Sequence, residues 1–356
     1  MAEYDVSIRN VTKRFGTTTA VDAINFDVPR GHFVTFLGPS GCGKTTTLRM
    51  IGGFEHPDSG EISIRGEEMG NRPPHQRDTS MVFQSYALFP HMSVAENIGF
   101  GLRERKMPKQ RINERVTEML NLIELPTHGS RKPRQLSGGQ QQRIALARSL
   151  VVEPTVLLLD EPLGALDLKL RKQMQIELKD IQQRVGITFI YVTHDQEEAL
   201  TMSDTIVVMN NGKVEQEGSA EEIFERPRTR FVAGFMGAQI LDACIVDRDN
   251  ISLRLRIGAD EITVPNTLPV TTTGVAVVIR PEKVRLDVDG GWQATVRNRV
   301  YKGSVMSYLL TLADGTSVNA DVAHDGPGTR HEIGQTLTIG LRPEGLVIIP
   351  DDRKGA

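Results

Sequence analysis

Apolar positions along the first two thirds of the chain form two kinds of run. Residues 33–37 (FVTFL), 156–159 (VLLL) and 187–192 (ITFIYV) are short and continuous, the pattern of strands buried on both faces. Between them the apolar residues recur at helical spacing. Residues 44–51 read as a helix, and Ile112, Val116, Met119, Leu120 and Ile123 share one face of another that stops near Pro126. Ile144, Leu146, Ala147 and Leu150 continue at helical period behind Ser137, and Leu166, Leu170, Met174, Leu178 and Ile181 mark a longer helix. Strands alternating with helices predict a largely parallel sheet covered on both faces. Asn211-Gly212, between TIVVM and KVEQEG, predicts a hairpin, and Ser219 with Glu222 forms a capping box for one last helix.

Near residue 236 the pattern changes. Short β-rich runs follow at 262–264, 275–279, 284–288, 292–296, 307–312, 336–339 and 346–349, punctuated by Gly, Asp, Asn and Pro and interrupted by no helical pattern. They predict a small barrel or sandwich; a single barrel and an uneven pair both remain open. The expected organisation is an α/β domain over residues 1–236 and an all-β domain over 237–356.

Bulk composition narrows the function classes. With 356 residues, 39% hydrophobic and 24% charged, the chain matches a water-soluble globular protein of two or three domains. A net charge of −3 gives no basic excess, so no nucleic-acid partner is expected. No apolar run nears the roughly 20 residues of a membrane helix. The start, MAEYDVSIRN, lacks the charged and apolar regions of a secretory signal. Two cysteines, Cys42 and Cys244, make no disulfide framework and suit a reducing cytosol.

The chemistry begins with GPSGCGKTT, residues 38–46, between a predicted strand and a predicted helix. This context marks a P-loop. In the loop that Pro39 helps shape, Gly38, Ser40, Gly41, Cys42, Gly43 and Thr46 offer backbone N–H groups to phosphate oxygens, Lys44 reaches the β and γ phosphates, and Thr45 suits Mg²⁺. A dinucleotide site would require a third glycine that GCGKTT lacks. VLLLDE ends a buried strand on two carboxylates: Asp160 suits the metal shell and Glu161 an attacking water. Gln84 in MVFQSYALFP and His194 after ITFIYVT are ordinary residues in isolation. They gain weight because their strands should end at the same sheet edge as Thr45 and Glu161. Phe15, in KRFG, fits stacking on adenine and a place in the core about equally.

LSGGQ, residues 136–140, opens a helix on two glycines, poor helix formers whose bare N–H groups suit a second phosphate. In order, the P-loop, Gln84, LSGGQ, VLLLDE, GALD (residues 164–167) and His194 resemble the nucleotide-binding subunit of an ABC transporter. The resemblance covers the whole chain. IRPEKVRL at 279–286 and GLRPEGLVII at 340–349 are similar to the β-barrel regulatory domain appended to importer ATPases. RPPHQRDTSMVFQSYALFPHMSV at 72–94 resembles the subgroup serving sugars, polyamines, ferric iron and related solutes, with spermidine/putrescine import ATPases closest.

That resemblance implies an ABC cassette with a RecA-like core and helical subdomain, followed by a TOBE-like barrel of OB type. It implies ATP and Mg²⁺ as ligands, with catalysis by Lys44, Glu161 and His194 and metal contacts from Thr45, Gln84 and Asp160. Two copies pack head to tail, and the Ser137, Gly138, Gly139 and Gln140 segment of one, with Arg134 and Gln135, caps the γ-phosphate in the other's P-loop. Asp167 then communicates across the interface. Two integral permease subunits dock near residues 84–90, a solute-binding protein acts indirectly, and the complex sits at the cytoplasmic face of the cell membrane. The chain departs from the family pattern in carrying Phe15 where many relatives have Tyr or Trp, and a second glycine in Gly52-Gly53 where Ala is common. A soluble ABC ATPase would be expected to carry two cassettes or a long coiled coil, and this sequence has one P-loop and neither feature.

Overall fold

The computed structural model describes residues 3–164, 166–266, 274–324, 331–341 and 345–351. Ala165 of GALD and residues 342–344 of the second tail motif lie outside the described residues. By backbone contacts the chain divides into two compact units, residues 1–220 and 221–356.

The first unit holds two sheets. Strands β1 (Tyr4–Phe15), β2 (Thr18–Pro29), β4 (Ser59–Ile64) and β5 (Glu67–Glu68) form an antiparallel sheet in the order β2-β1-β4-β5. Apart from a strand pattern leading to Phe15, the sequence does not announce this sheet. Its register shifts between Ile8 and Val11, where Asn10 takes φ +50°, and Ala23 on β2 takes φ +47°. Such bulges break the two-residue alternation from which a strand is read.

The second sheet is the predicted one. Its order is β10 (Lys213–Gly218), β9 (Thr205–Asn210), β3 (Phe33–Leu37), β8 (Thr188–Thr193), β7 (Val156–Asp160) and β6 (Thr79–Val82). Five of the strands are parallel and β10 pairs antiparallel to β9. Every residue of β3 and β8 is buried, as continuous apolar runs require. Asn211 at φ +47° and Gly212 at φ +79° make the expected hairpin turn.

Helix α1 (Lys44–Gly52) follows β3, and α2 (Val94–Ile98), α3 (Phe100–Glu104), α4 (Lys109–Leu122) and α5 (Gly138–Leu150) lie between β6 and β7. The apolar faces of α2 to α5 share one core that includes Ile98, Val116, Ile144 and Leu157, while Leu48, Met50 and Ile51 of α1 pack in a second one with Phe36 and Ile62. Helix α6 (Leu168–Val185) starts two positions after Leu166, so that residue packs from the loop before it. Helix α7 (Gln196–Met202) completes the unit.

In place of one last helix there are two, α8 (Ala220–Glu225) and α9 (Arg230–Phe235). Pro227 separates them, and the Thr229 side chain accepts from Val232 N to start α9. In the second unit, β11 (Gln239–Arg248), β12 (Ser252–Ile257), β13 (Asp260–Pro265), β14 (Val275–Ile279) and β20 (Leu346–Pro350) form one sheet. The other contains β15 (Val284–Leu286), β16 (Trp292–Tyr301), β17 (Val305–Leu312), β18 (Ser317–Ala323) and β19 (Thr336–Leu341). Strands β11, β12 and β18 go beyond the predicted set, being rich in charged and small residues that dilute the signal. Both sheets close on one apolar core, including Leu255, Val277, Tyr308, Leu310 and Ile339, and β15 approaches β18, so the second sheet nearly closes on itself.

Candidate functional site

Parallel register brings the predicted residues together. Leu37 pairs with Thr193, Asp160 with Val192 and Val82 with Leu159, so β3, β8, β7 and β6 end level. The loops leaving those ends carry the P-loop, His194, Glu161 and Gln84 respectively. Open parallel sheets bind ligands at this edge, and β3 has a neighbour on each side where the strand order reverses.

The P-loop is shaped by close backbone approach. A Cβ on Gly43, which takes φ +105°, would stand 2.5 Å from the Ala20 carbonyl oxygen, and one on Gly38 would stand 2.2 Å from the Met209 carbonyl oxygen. The β9–β10 turn also clamps the loop, since Gly212 N donates to Cys42 O at 3.1 Å. Lys44 is buried, with Nζ donating to Gly38 O at 2.7 Å and Pro39 O at 2.8 Å. Burial pushes the Cys42 thiol up, with nearby Lys44 opposing. Ser40 and Gly41 are exposed, and Thr46 is the third residue of α1, next to Thr45.

Thr45 Oγ1 donates to Asp160 Oδ1 at 3.0 Å. Burial raises the Asp160 carboxyl and Glu161 adds to the rise, while the Thr45 hydroxyl, Arg49 and Lys44 oppose it. A half-buried carboxylate whose charge is penalised, touching a hydroxyl oxygen, fits a hard divalent cation that is otherwise held by substrate phosphates and water. No group of three or more His, Cys, Asp or Glu side chains that could hold a metal ion gathers among the described residues.

Glu161 takes φ +45°, uncommon for a residue with a side chain, and its N–H donates to Val192 O at 3.2 Å. His194 Nδ1 faces Glu161 Oε1 at 3.4 Å. Gln84 Nε2 lies 3.5 Å from where a Cβ on Gly164 would stand, against the turn after Glu161. Phe15 is 48% exposed at the end of β1, with Lys13 Nζ 5.2 Å from its ring centroid, so the core alternative is excluded.

The second glycine-rich motif lies apart. Ser137 caps α5 with a reciprocal box: Gln140 N donates to Ser137 Oγ at 3.4 Å and Ser137 N to Gln140 Oε1 at 3.0 Å. A Cβ on Gly139 would stand 3.2 Å from Leu170 Cδ1, and one on Gly138 3.4 Å from Leu166 Cδ2. Packing against the Asp167 segment is thus one physical reason for the paired glycines. Arg134 and Gln135 are exposed in the preceding turn, where Gln135 Oε1 accepts from Lys132 N. Asp167 is exposed and caps α6 through Leu170 N. Among the described residues no hydrogen bond or ion pair joins 134–140 to 38–46.

Sequence reasoning missed the polar scaffold behind these groups. Arg171 on α6 donates through NH2 to Leu166 O at 3.1 Å and through NH1 to Asp195 Oδ2 at 3.5 Å. Its Nε lies 4.0 Å from the buried Glu198, which also accepts from Tyr191 Oη and Thr193 Oγ1. One guanidinium therefore links the segment before Asp167 to the turn bearing His194. These residues carry no periodicity and their partners are distant in sequence; the clue was only that Arg171 and Glu198 flank GALD and His194.

Comparison with known proteins gives the family. A family model described as ABC transporter matches residues 21–164, and one described as TOBE domain matches 277–349. The chain is 49% identical to the spermidine/putrescine import ATP-binding protein PotA of Thermobifida fusca, over 97% of this chain and 93% of that protein. It is 50% identical to the protein of the same name from Rubrobacter xylanophilus, over 98% and 94%. Among solved structures, CbiO1 from Clostridium perfringens, part of the ABC transporter complex CbiONQ, superposes with a TM-score of 0.60 at 30% identity, covering 63% of this chain and 92% of that one. A dimeric post-hydrolysis ATP-binding cassette bound to ADP and Pi gives 0.53 at 33% identity, covering 60% and 98%.

Proposed function

This chain belongs to the ABC transporter ATP-binding family and is an ATPase of that kind, and on that premise we propose that it energises a binding-protein-dependent importer of spermidine and putrescine. The relatives' printed names support the cargo. We take residues 1–236 as the catalytic domain and 237–356 as the regulatory β domain.

One observation carries the mechanism: a single strand edge carries Lys44, Thr45, Asp160, Glu161, His194 and Gln84, while among the described residues no hydrogen bond or ion pair joins the second anion-suited motif to the P-loop. The P-loop N–H groups and Lys44 neutralise and orient the triphosphate. Phe15 stacks on the adenine. Thr45, Asp160 and Gln84 would hold Mg²⁺, which would supply neutralisation of the phosphate charge. Glu161 accepts the proton of the attacking water, and His194, beside it, contacts the γ-phosphate.

The first turn of α5 is then half of a composite site. This helix N-terminus carries roughly half a positive charge, and its Gly138 and Gly139 N–H groups precede the intrahelical ladder. Supplied by a second copy with Arg134 and Gln135 alongside, Ser137, Gly138, Gly139 and Gln140 cap the triphosphate, and Asp167 crosses the same interface. The dimeric cassette among the structural relatives supports this assembly. The 84–90 loop receives one permease subunit per copy, a solute-binding protein acts beyond it, and the complex works at the cytoplasmic face of the membrane. No helix among the described residues is long and apolar enough to cross a membrane, so the permeases supply the spans.

Glu161→Gln is the direct test. It should retain ATP binding, lose turnover by about 10²–10⁴-fold and accumulate an ATP-bound dimer in size-exclusion chromatography. Wild-type hydrolysis by the variant would remove Glu161 from its role. Cells lacking the chain should lose uptake of labelled spermidine and putrescine; unchanged uptake overturns the cargo.

A further inference from the structure

The Gln84 loop is held in an unfavourable conformation by a side chain from the opposite end of the signature helix. Tyr86 and Ala87 take φ +60° and +46°, two successive left-handed residues that are not glycine. Such geometry persists only where its surroundings over-determine it. The Tyr86 hydroxyl is buried without a hydrogen-bond partner among the described residues, a further cost of this conformation.

Two side chains supply the restraint. Asn97, wholly buried, donates to the carbonyls of Phe89, Met92 and Ser93 and accepts from Phe89 N. Arg148, in the last turn of α5, donates through NH1 to Ala87 O at 2.7 Å and through NH2 to Tyr86 O at 3.1 Å. Its guanidinium carbon lies 5.5 Å from the Phe89 ring centroid. Asn97 fastens the far side of the loop within its own neighbourhood. Arg148 fastens the strained residues to a different element.

That element is an unbroken 13-residue helix, about 20 Å long, with Ser137 capping its other end. Ile144, Ala145 and Ala147 have no exposed surface, so the helix moves with its packing rather than bending within it. A displacement at Ser137 therefore reaches Arg148, and through two forked hydrogen bonds reaches the carbonyls of Tyr86 and Ala87.

We propose that Arg148 is a positioning residue that couples the Ser137–Gln140 end of α5 to the 84–90 loop, so that closure on a partner's triphosphate resets the surface offered to the permease. This rests on the importer reading above. Arg148 touches no nucleotide group; it sets where the loop sits.

The experiment compares the unsubstituted protein with Arg148→Met, which keeps the apolar stem, and Arg148→Lys, which keeps the charge without the fork. Each is assembled with its permeases in lipid vesicles, and ATP hydrolysis is read with and without binding protein and polyamine. Basal hydrolysis should be unchanged by Arg148→Met while stimulation falls about 10-fold, with partial recovery in Arg148→Lys. Equal loss of basal and stimulated rates would mark a merely structural role and overturn the proposal, as would unchanged stimulation.

A second measurement needs no permease. In the Glu161→Gln background, ATP should slow amide exchange at residues 86–89, and adding Arg148→Met should remove that protection while protection of the P-loop remains. Equal protection at 86–89 with and without Arg148 overturns the coupling. An unsubstituted transporter that shows no stimulation overturns the importer reading, and the exchange measurement still decides the coupling.

Discussion

Glu198 is 3% exposed and accepts hydroxyl hydrogens from Tyr191 at 2.7 Å and Thr193 at 2.6 Å. Burial raises its carboxyl, Asp195 adds to the rise, and the two hydroxyls and Arg171 oppose it. A carboxyl whose folded pKa exceeds its unfolded one binds its proton more tightly in the native state. Its contribution therefore favours folding below the ordinary glutamate value and is lost as pH rises through the window up to the raised value. Each unit of elevation is worth about 1.4 kcal/mol. Glu198→Gln has no proton to lose there, so its stability relative to wild type should increase as pH rises through that window. Urea unfolding at a series of pH values checks this; parallel curves for the two proteins would sink it. Nothing local to EEAL announces such a residue, because a glutamate on a short helix is ordinarily solvated.

At the scale of elements, α1 shows how one helix serves the site from both ends. Its N-terminus carries Lys44 and Thr45, and its C-terminus is closed by Gly53 at φ +77° and by Arg77 from the segment before β6. The Arg77 guanidinium donates to Met50 O at 2.6 Å and Ile51 O at 3.0 Å, and further to Arg72 O and Gly70 O. The Gly52-Gly53 pair acquires a reason here. A Cβ on Gly53 would stand 2.6 Å from Arg77 Nε, and one on Gly52 would stand 3.0 Å from Leu158 Cδ1. Arg77→Ala leaves buried carbonyls without donors and should lower stability by about 3 kcal/mol, read from chemical denaturation. A loss below about 0.5 kcal/mol, typical of a surface substitution, would show that water replaces the guanidinium.

At the scale of the whole molecule, each compact unit has its own apolar core. Leu157, Ile144 and Val116 belong to the first, and Leu310, Tyr308 and Ile339 to the second. Leu310 is fully buried, and truncation to alanine removes burial and leaves a cavity, a cost of about 2–5 kcal/mol. Calorimetry should resolve the units, with Leu310→Ala lowering the transition of residues 221–356 and leaving the other in place. A single transition that shifts as one body would show the two cores to be cooperative.

The sequence by itself determined whatever depends on neighbouring residues. Continuous apolar runs placed β3, β7 and β8, helical spacing placed α4 and α5, and Asn211-Gly212 placed a turn whose backbone angles few other pairs tolerate. The P-loop was legible because its glycines, lysine and threonine act within one short stretch. Tertiary structure alone decided the rest. Bulged strands lose their alternation, so the sheet of β1 and β2 emerges only when they pair. Parallel register, which no local pattern records, sets Gln84, Glu161 and His194 level with Lys44. The arginines at 77, 148 and 171 read as ordinary surface charges in sequence. Each takes its meaning from backbone carbonyls or carboxylates that the fold brings to it, because a guanidinium on a long stem finds its acceptors across space, not along the chain.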